Sequence, residues 1–128
     1  MNQDLIDRLL TTGLAAATER NVAVTISIVD TGGHLRAVVR QAECSYFALE
    51  SSRKKAVTAS QLKLPTHVVG NLSQQFPALQ AAFTTNPDIL GLPGGVPIRV
   101  NGQVVGGLGV GGGDFAQDQQ IAEAAVAD

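Results

Sequence analysis

Three side chains in this sequence have the chemistry to bind or transform a small molecule: His34, His67 and Lys55. A histidine can ligate a metal or haem iron, or transfer a proton near neutral pH. A charged lysine can hold a carboxylate, and a lysine shielded from water can act as a base or a Schiff-base nucleophile. Each of the three is also compatible with a solvated surface side chain, which is the usual place of a lysine.

The types of residue exclude several kinds of site. The two histidines have no cysteine or carboxylate at ligand spacing, so the sequence predicts no structural zinc site. One axial histidine or tyrosine is enough for haem, whereas the absence of a Cys-x-x-Cys-His signature excludes covalent haem attachment. Cys44 is the only cysteine, so the chain has no internal disulfide. Nothing in the spacing places Cys44 beside either histidine as a nucleophile.

A hairpin with a glycine-rich second arm is the most regular feature of the chain. Asn101-Gly102 lies between two apolar runs and predicts a type I′ turn. Gly107, Gly109 and Gly111 then alternate with larger residues, so one face of this strand has no side chains. Such a face allows a close approach to the backbone, either by a packed helix or subunit or by a flat ligand.

Two glycine loops offer backbone amides for an anion. Gly94-Gly95 precedes the hairpin, and Gly111-Gly112-Gly113 leads into a predicted helix that begins after Asp114. The start of a helix attracts anions through its free amides and its dipole. The pattern fits neither a P-loop nor a dinucleotide fingerprint inside a βαβ unit, so a nucleotide site is not expected.

Hydrophobic periodicity predicts an α+β architecture, in which helices pack on a single antiparallel sheet with one deep face. Tight turns join neighbouring strands, and Asn2, Ser45 and Asp114 are candidate helix caps. The predicted helices span residues 2–19, 46–62 and 115–127, with a shorter helical segment between 66 and 83 that is interrupted at Pro77. The predicted strands span residues 22–29, 34–40 and 89–90, followed by the two arms of the hairpin.

Composition bounds the class of protein. The 128 residues fit one domain, and the chain is 45% hydrophobic but only 16% charged, which favours a homo-oligomer whose subunits cover apolar surface. The net charge of −2 argues against a nucleic-acid partner. No run of about 18 apolar residues predicts a membrane span. The acidic start does not resemble a signal peptide, so a cytoplasmic location is expected by default.

Several spaced motifs resemble the GlcG/HbpS-like family, which includes the C-terminal domain of PduO-type proteins. They are Asp30-Thr31-Gly32-Gly33-His34-Leu35, Lys55-Ala56-Val57-Thr58-Ala59, Pro65-Thr66, Pro93-Gly94-Gly95-Val96-Pro97-Ile98, the hairpin strand and Gln117-Asp118. The resemblance covers nearly the whole chain. It departs from the family pattern at Gly111, where the family usually has a serine.

The resemblance implies a fold and a ligand class for the single domain of residues 1–128. The fold would be a profilin-like, five-stranded antiparallel sheet with helices, assembled into higher oligomers. The ligand would be haem, a related tetrapyrrole or a small organic acid, bound between the Lys55 helix and the glycine strand. Lys55 would steady an acidic group and His34 or His67 would ligate iron or transfer protons. The remaining binding residues would be Gly94, Gly95, Gly109, Gly111 and Asp118.

Two further functions stay open. The resemblance implies that family members occur in catabolic pathways. The same pocket could therefore isomerise, deaminate or hydrolyse a small carboxylate, with Lys55 holding the acid and His34 as general base. A purely structural accessory subunit is also compatible with the high alanine and glycine content and the sparse titratable groups.

Overall fold

A computed structural model describes residues 1–127, which form five helices and four strands. In chain order these are α1 (Gln3–Glu19), β1 (Thr25–Asp30), β2 (Leu35–Arg40), α2 (Phe47–Leu62), α3 (Thr66–Gln75), α4 (Pro77–Thr84), β3 (Gly95–Val100), β4 (Gln103–Gly111) and α5 (Phe115–Val126). The α+β class is therefore confirmed.

The strands form one antiparallel sheet in the order β2-β1-β4-β3. The prediction of five strands is wrong, since the sheet in residues 1–127 has four. The segment Ile89-Leu90 was expected to be a strand, but it has no strand partner there. The backbone N–H of Leu90 donates instead to Oγ1 of Thr58 on α2, at 2.8 Å. That bond gives the amide a partner outside any sheet, as a buried donor requires.

Local sequence signals place most element ends. Asn101 and Gly102 have φ angles of 52° and 79°, so the type I′ turn between β3 and β4 is confirmed. Asn2 caps α1 by accepting the N–H of Leu5 at 2.9 Å. Asp114 caps α5 in a reciprocal capping box with Gln117. The regular bonding of α2 is counted from Phe47, but Tyr46 already has helical angles and Ser45 accepts the N–H of Phe47 at 3.2 Å, as a capping serine does.

One face of the sheet carries the main apolar core. Ile26 and Ile28 of β1 and Leu108 and Val110 of β4 are fully buried on this face. They pack in one cluster with residues of α1 and α5 that include Ile6, Leu9, Ala17, Ile121 and Ala125. The helical periodicity of the first and last segments therefore predicted the side of each helix that faces the sheet.

The other face of the sheet lies under α2 and is buried as well. Thr25 and Ser27 are fully buried there, although their polarity predicted a shallow face. Ser27 exchanges a hydrogen bond of 2.8 Å with the hydroxyl of Ser52 on α2. Paired hydroxyls satisfy one another's hydrogen bonds inside a protein, so a polar strand face can be buried at little cost in free energy. The expectation of a single deep face is wrong.

Contact between α2 and β4 explains the glycine spacing. A Cβ at Gly107 would overlap the carbonyl oxygen of Ala56, and a Cβ at Gly109 would overlap that of Ser52. A Cβ at Gly111 would meet Ala48 at 3.2 Å. The step of two strand residues spans about 6.6 Å and the step of four helix residues about 6.0 Å. The two repeats therefore run in register, with the backbones in direct contact.

The helical hairpin of α3 and α4 lies at the edge of the molecule. Pro77 opens α4 at its first turn, where a missing N–H breaks no helical bond. None of the residues of α4 is buried, although the helix is mostly apolar. Among the described residues, no helix combines the length and the apolar character needed to cross a bilayer.

Candidate functional site

The residues selected from the sequence occupy three separate places in the fold. Lys55 and Asp118 meet at the end of the sheet where β4 leads into α5, close to the two glycine loops. His34 lies in the turn between β1 and β2, at the opposite end of the sheet. His67 lies in the first turn of α3, apart from both.

Lys55 and Asp118 form a buried ion pair. Their side chains are 4% exposed, and Nζ of Lys55 lies 3.2 Å from Oδ2 of Asp118. Nζ also donates to the carbonyl oxygen of Val110 at 2.9 Å. The second carboxylate oxygen, Oδ1, accepts the N–H of Gly113 at 2.8 Å. The pair is therefore enclosed by protein, and each partner also bonds a backbone group.

Burial raises the pKa of the Asp118 carboxyl, while the Lys55 ammonium and the N–H of Gly113 act in the opposite direction. The net upward direction means that removal from water outweighs the attraction of the ammonium. Buried ion pairs commonly behave in this way, because desolvation of both charges offsets the Coulomb energy.

The amides of Gly94, Gly95 and Gly113 are already bonded at this end of the sheet. The N–H of Gly94 donates to Oε1 of Gln119 at 2.6 Å, and that of Gly95 donates to Oγ1 of Thr66 at 2.8 Å. The predicted anion site at the start of α5 is filled by the chain's own Asp118. Gly109 and Gly111 are buried beneath α2, so protein fills their open face and a ligand has no room against it.

The His34 turn is built around one carboxylate oxygen. Oδ1 of Asp30 accepts the backbone N–H of Gly32 and of His34, each at 2.9 Å. It also lies 3.2 Å from Nδ1 of the His34 ring, whose side chain is 81% exposed. The ring lies over Gly32, where a Cβ would meet its Cε1 atom at 2.6 Å. A glycine at this position is therefore needed for the ring to adopt its place.

The backbone N–H of His34, with smaller effects from the other donors, lowers the pKa of the Asp30 carboxyl. Asp30 is thus an ionised acceptor, and it favours the imidazole form that carries its proton on Nδ1. In this form Nε2 presents its lone pair to solvent. Histidines that ligate metals typically donate the other ring N–H to a carboxylate or carbonyl in this way.

A cleft adjoins the His34 turn. It has a volume of about 510 Å³ and lies between the turn, α2 and the end of α4. Its wall is mostly apolar, and the residues that line it are Gly32, Gly33, Val57, Gln61, Leu62, Ala82, Phe83, Asn86, Asp88 and Ile89. The carboxylate of Asp88 is paired with Arg53 at 2.9 Å. The cleft therefore offers an apolar surface with an aromatic ring and a histidine next to its rim.

His67 is placed differently. Its Nδ1 atom is buried and has no hydrogen-bond partner among residues 1–127. A buried N–H without an acceptor is costly, so the neutral ring is better accommodated with its proton on Nε2. In that form Nε2 carries the proton and has no lone pair with which to ligate a metal.

Lys55 and His34 lie too far apart to act on one small carboxylate. Nζ of Lys55 binds the carbonyl of Val110, which pairs with Ile26, whereas His34 closes the turn that begins at Asp30. Four strand residues separate these points, or about 13 Å. The structure thus brings Lys55, Asp118 and Gly94 together and leaves both histidines apart.

The residues that complete the His34 turn were not selected from the sequence. The sequence predicts Asp30 only as part of a motif, and it gives no signal for Gln61 or Phe83. An Asp four residues before a His, with two glycines between them, is a local signal that could have identified Asp30. Gln61, which donates to the carbonyl of Thr31 at 2.9 Å, is brought there only by the packing of α2.

Comparison with known proteins gives one family. The model of the family described as "Haem degrading protein HbpS-like" matches residues 1–127. Protein GlcG of Escherichia coli strain K12 is 35% identical over 110 residues, which cover 86% of this chain and 80% of GlcG.

Solved structures agree with this fold. The crystal structure of a PduOC:haem complex superposes with a TM-score of 0.90 at 27% identity, covering 98% of this chain and 92% of PduOC. The crystal structure of HbpS superposes with a TM-score of 0.88 at 27% identity, covering 98% of this chain and 86% of HbpS.

Proposed function

Because this chain belongs to the family of HbpS-like haem-degrading proteins, we propose that it binds haem without a covalent bond. A structure of one relative is that of a haem complex, which supports the same ligand class here. The observation that carries the proposal is the His34–Asp30 contact at 3.2 Å, beside an apolar cleft of about 510 Å³.

The residues of the turn fit haem. Asp30 holds the proton on Nδ1 of His34, so Nε2 is available as an axial ligand to iron. Phe83 and the aliphatic side chains of the cleft offer a surface for the flat macrocycle. When bound, haem would supply redox chemistry at its iron. The protein's own part would be to orient the ring of His34 and to shield one face of the macrocycle.

Replacing His34 with alanine is expected to weaken haem binding by at least about tenfold, because even the outer partners of a ligating histidine contribute 10–100-fold to metal affinity. The measurement is a haem titration of the purified protein, followed by the Soret band. The spectrum of the variant should also lose the features of histidine ligation.

His67→Ala is the matched control, since it removes the other histidine of the chain. It should leave both the affinity and the Soret position unchanged. Loss of binding in His67→Ala with retention in His34→Ala would overturn the assignment of the ligand. Absence of saturable binding to the unaltered protein would overturn the haem proposal itself.

An enzyme acting on a small carboxylate has less support. That function needed Lys55 and His34 in one pocket, but Lys55 is 3% exposed and engaged by Asp118. A solvated substrate could reach it only by opening the packing between α2 and β4. The geometry therefore favours a binding protein over an enzyme that uses this lysine.

We further propose that copies of this chain associate through the α3–α4 hairpin. Residues 64–87 contain no aspartate, glutamate, lysine or arginine. Phe76 between the two helices is 52% exposed, and α4 has no buried residue. An uncharged apolar surface of this kind is typical of subunit contacts, where charged residues are depleted.

Replacing Phe76 with glutamate is expected to reduce the size of the assembly, because the interface would have to bury an unpaired carboxylate. Light scattering after size-exclusion chromatography measures the change. Phe115→Glu is the matched control, since that phenylalanine is 58% exposed on another part of the surface. The same mass for all three proteins would contradict the assignment of this surface.

A further inference from the structure

A second cavity system lies on the opposite face of the sheet from α2. Two adjoining cavities, of about 640 and 540 Å³, lie between α1, the edge strand β3 and the end of α5. They share Leu5, Arg8 and Arg99 in their walls, so they form one groove. We call it the α1–β3 groove. It is separate from the cleft beside His34, with which it has no lining residue in common.

The floor of this groove is apolar. Leu9, Val96 and Ile98 belong to the main core and are each less than 5% exposed. Leu5, Ala125 and Val126 extend the same surface towards the two helices. A concave apolar surface with a few polar groups at its edge is the usual form of a small-molecule site.

Two arginines, Arg8 and Arg99, line both cavities at the edge of the floor. Arg99 donates only to backbone carbonyls, at 3.3 Å to Lys63 and 3.5 Å to Gly102. Arg8 makes no hydrogen bond or ion pair with any other residue from 1 to 127. Within those residues, Asp4 is the one carboxylate in either wall, and it lines only the smaller cavity. Positive charge therefore exceeds negative charge along the groove.

From this arrangement we propose that the α1–β3 groove binds an amphipathic monocarboxylate. The carboxylate would be held by Arg8 and Arg99, since arginine forms strong charge-assisted bonds with planar carboxylates. The aliphatic tail would cover Leu9, Val96 and Ile98. An added peptide strand is a poorer occupant, because Pro97 in the middle of β3 has no N–H to pair with it.

The test is calorimetric titration with decanoate below its micellar concentration. The unaltered protein should bind decanoate saturably. The double variant Arg8→Gln with Arg99→Gln should bind it at least about tenfold more weakly, because two charge-assisted contacts are lost. Both side chains are exposed, so the variant should remain folded. Decanol should bind weakly to both proteins, since it has the same tail without the charge.

The matched control is Arg40→Gln with Lys54→Gln, which removes the same charge outside the groove. It should bind decanoate like the unaltered protein. Equal affinity for decanoate and decanol, or an equal loss in both double variants, would overturn the proposal. Displacement of decanoate by haem would also overturn it, since the groove would then be a tetrapyrrole site.

This inference does not rest on haem binding at His34. The His34→Ala variant should keep its full affinity for decanoate, because His34 lines neither cavity of the α1–β3 groove. Failure of one proposal therefore leaves the other unaffected. Loss of decanoate binding in His34→Ala would contradict the existence of two independent sites.

Discussion

Replacing Lys55 with methionine is expected to lower the free energy of unfolding by about 3–5 kcal/mol, since removal of one partner leaves a buried charge uncompensated. The remaining group would be the carboxylate of Asp118, whose side chain is 4% exposed and which would keep only the N–H of Gly113. Urea denaturation followed by circular dichroism, at fixed protein concentration, measures the change.

Two further variants test the cause. The double variant Lys55→Met with Asp118→Asn should recover most of the lost stability, because no charge is then buried and the amide oxygen can still accept the N–H of Gly113. Lys54→Met is the matched control at the neighbouring, half-buried position, and it should change the free energy by less than about 0.5 kcal/mol. If Lys55→Met were no less stable than Lys54→Met, the ion pair would not be buried in solution.

The sign of the pH dependence follows from the raised pKa of Asp118. A carboxyl that is protonated more readily in the folded protein than in the unfolded chain contributes stability at low pH. That contribution is complete below the unfolded pKa of about 3.9 and is lost as the pH rises through the folded value. The Asp118→Asn variant lacks this contribution. Its stability should therefore fall less than that of the unaltered protein as the pH rises through this range.

Replacing Gly109 with alanine is expected to destabilise the fold by about 3 kcal/mol or more, at the upper end of the usual range for overpacked cores. The added Cβ would overlap the carbonyl oxygen of Ser52 and lie 2.7 Å from the backbone nitrogen of Ala56. Both atoms belong to the backbone of α2, so relief requires a shift of the whole helix. The midpoint of thermal or urea unfolding measures the effect.

Gly102→Ala is the control for this substitution. Apart from its chain neighbours, no residue from 1 to 127 has an atom within 4 Å of a Cβ at Gly102, so the penalty there is its φ of +79°. A left-handed alanine costs about 1–2 kcal/mol. A smaller effect at Gly109 than at Gly102 would show that α2 and β4 are not in backbone contact.

Signals that act over a few residues were predictive here. The Asn101-Gly102 turn needs only the positive φ that both residues tolerate, and the caps of α1 and α5 need only an acceptor side chain near free amides. The end of each element depends on its own sequence at these places. The tertiary structure then agrees with the local preference.

Features that depend on tertiary partners were not predictable. The run Ile89-Leu90 has the apolar character of a strand. However, the hydroxyl of Thr58, about thirty residues earlier, accepts the backbone N–H of Leu90. The polarity of Thr25 and Ser27 predicts a shallow face, yet both are buried, because Ser27 bonds the hydroxyl of Ser52 on α2 and Thr25 donates to the sulfur of Cys44. In each case a side chain distant in the sequence decides the outcome.

The candidate site also combines locally determined contacts with contacts that depend on the tertiary fold. Lys55 and Asp118 were each selected separately, but they are 63 residues apart and their pairing depends on the fold. The pairing of Asp30 with His34 spans only four residues and was open to prediction from the turn. The cleft beside it requires α2, α4 and the turn to meet, which no local pattern specifies.

The His34 turn is fixed before any ligand arrives. Ser60 donates to the carbonyl of Asp30 at 2.8 Å and Gln61 to that of Thr31 at 2.9 Å, so α2 holds the turn that Asp30 closes. Its conformational entropy has therefore been lost already during folding. The entropy lost when a loop becomes ordered on binding usually offsets part of the interaction energy. A ligand that coordinates His34 incurs little of this loss, so a single exposed imidazole can contribute nearly its full intrinsic affinity.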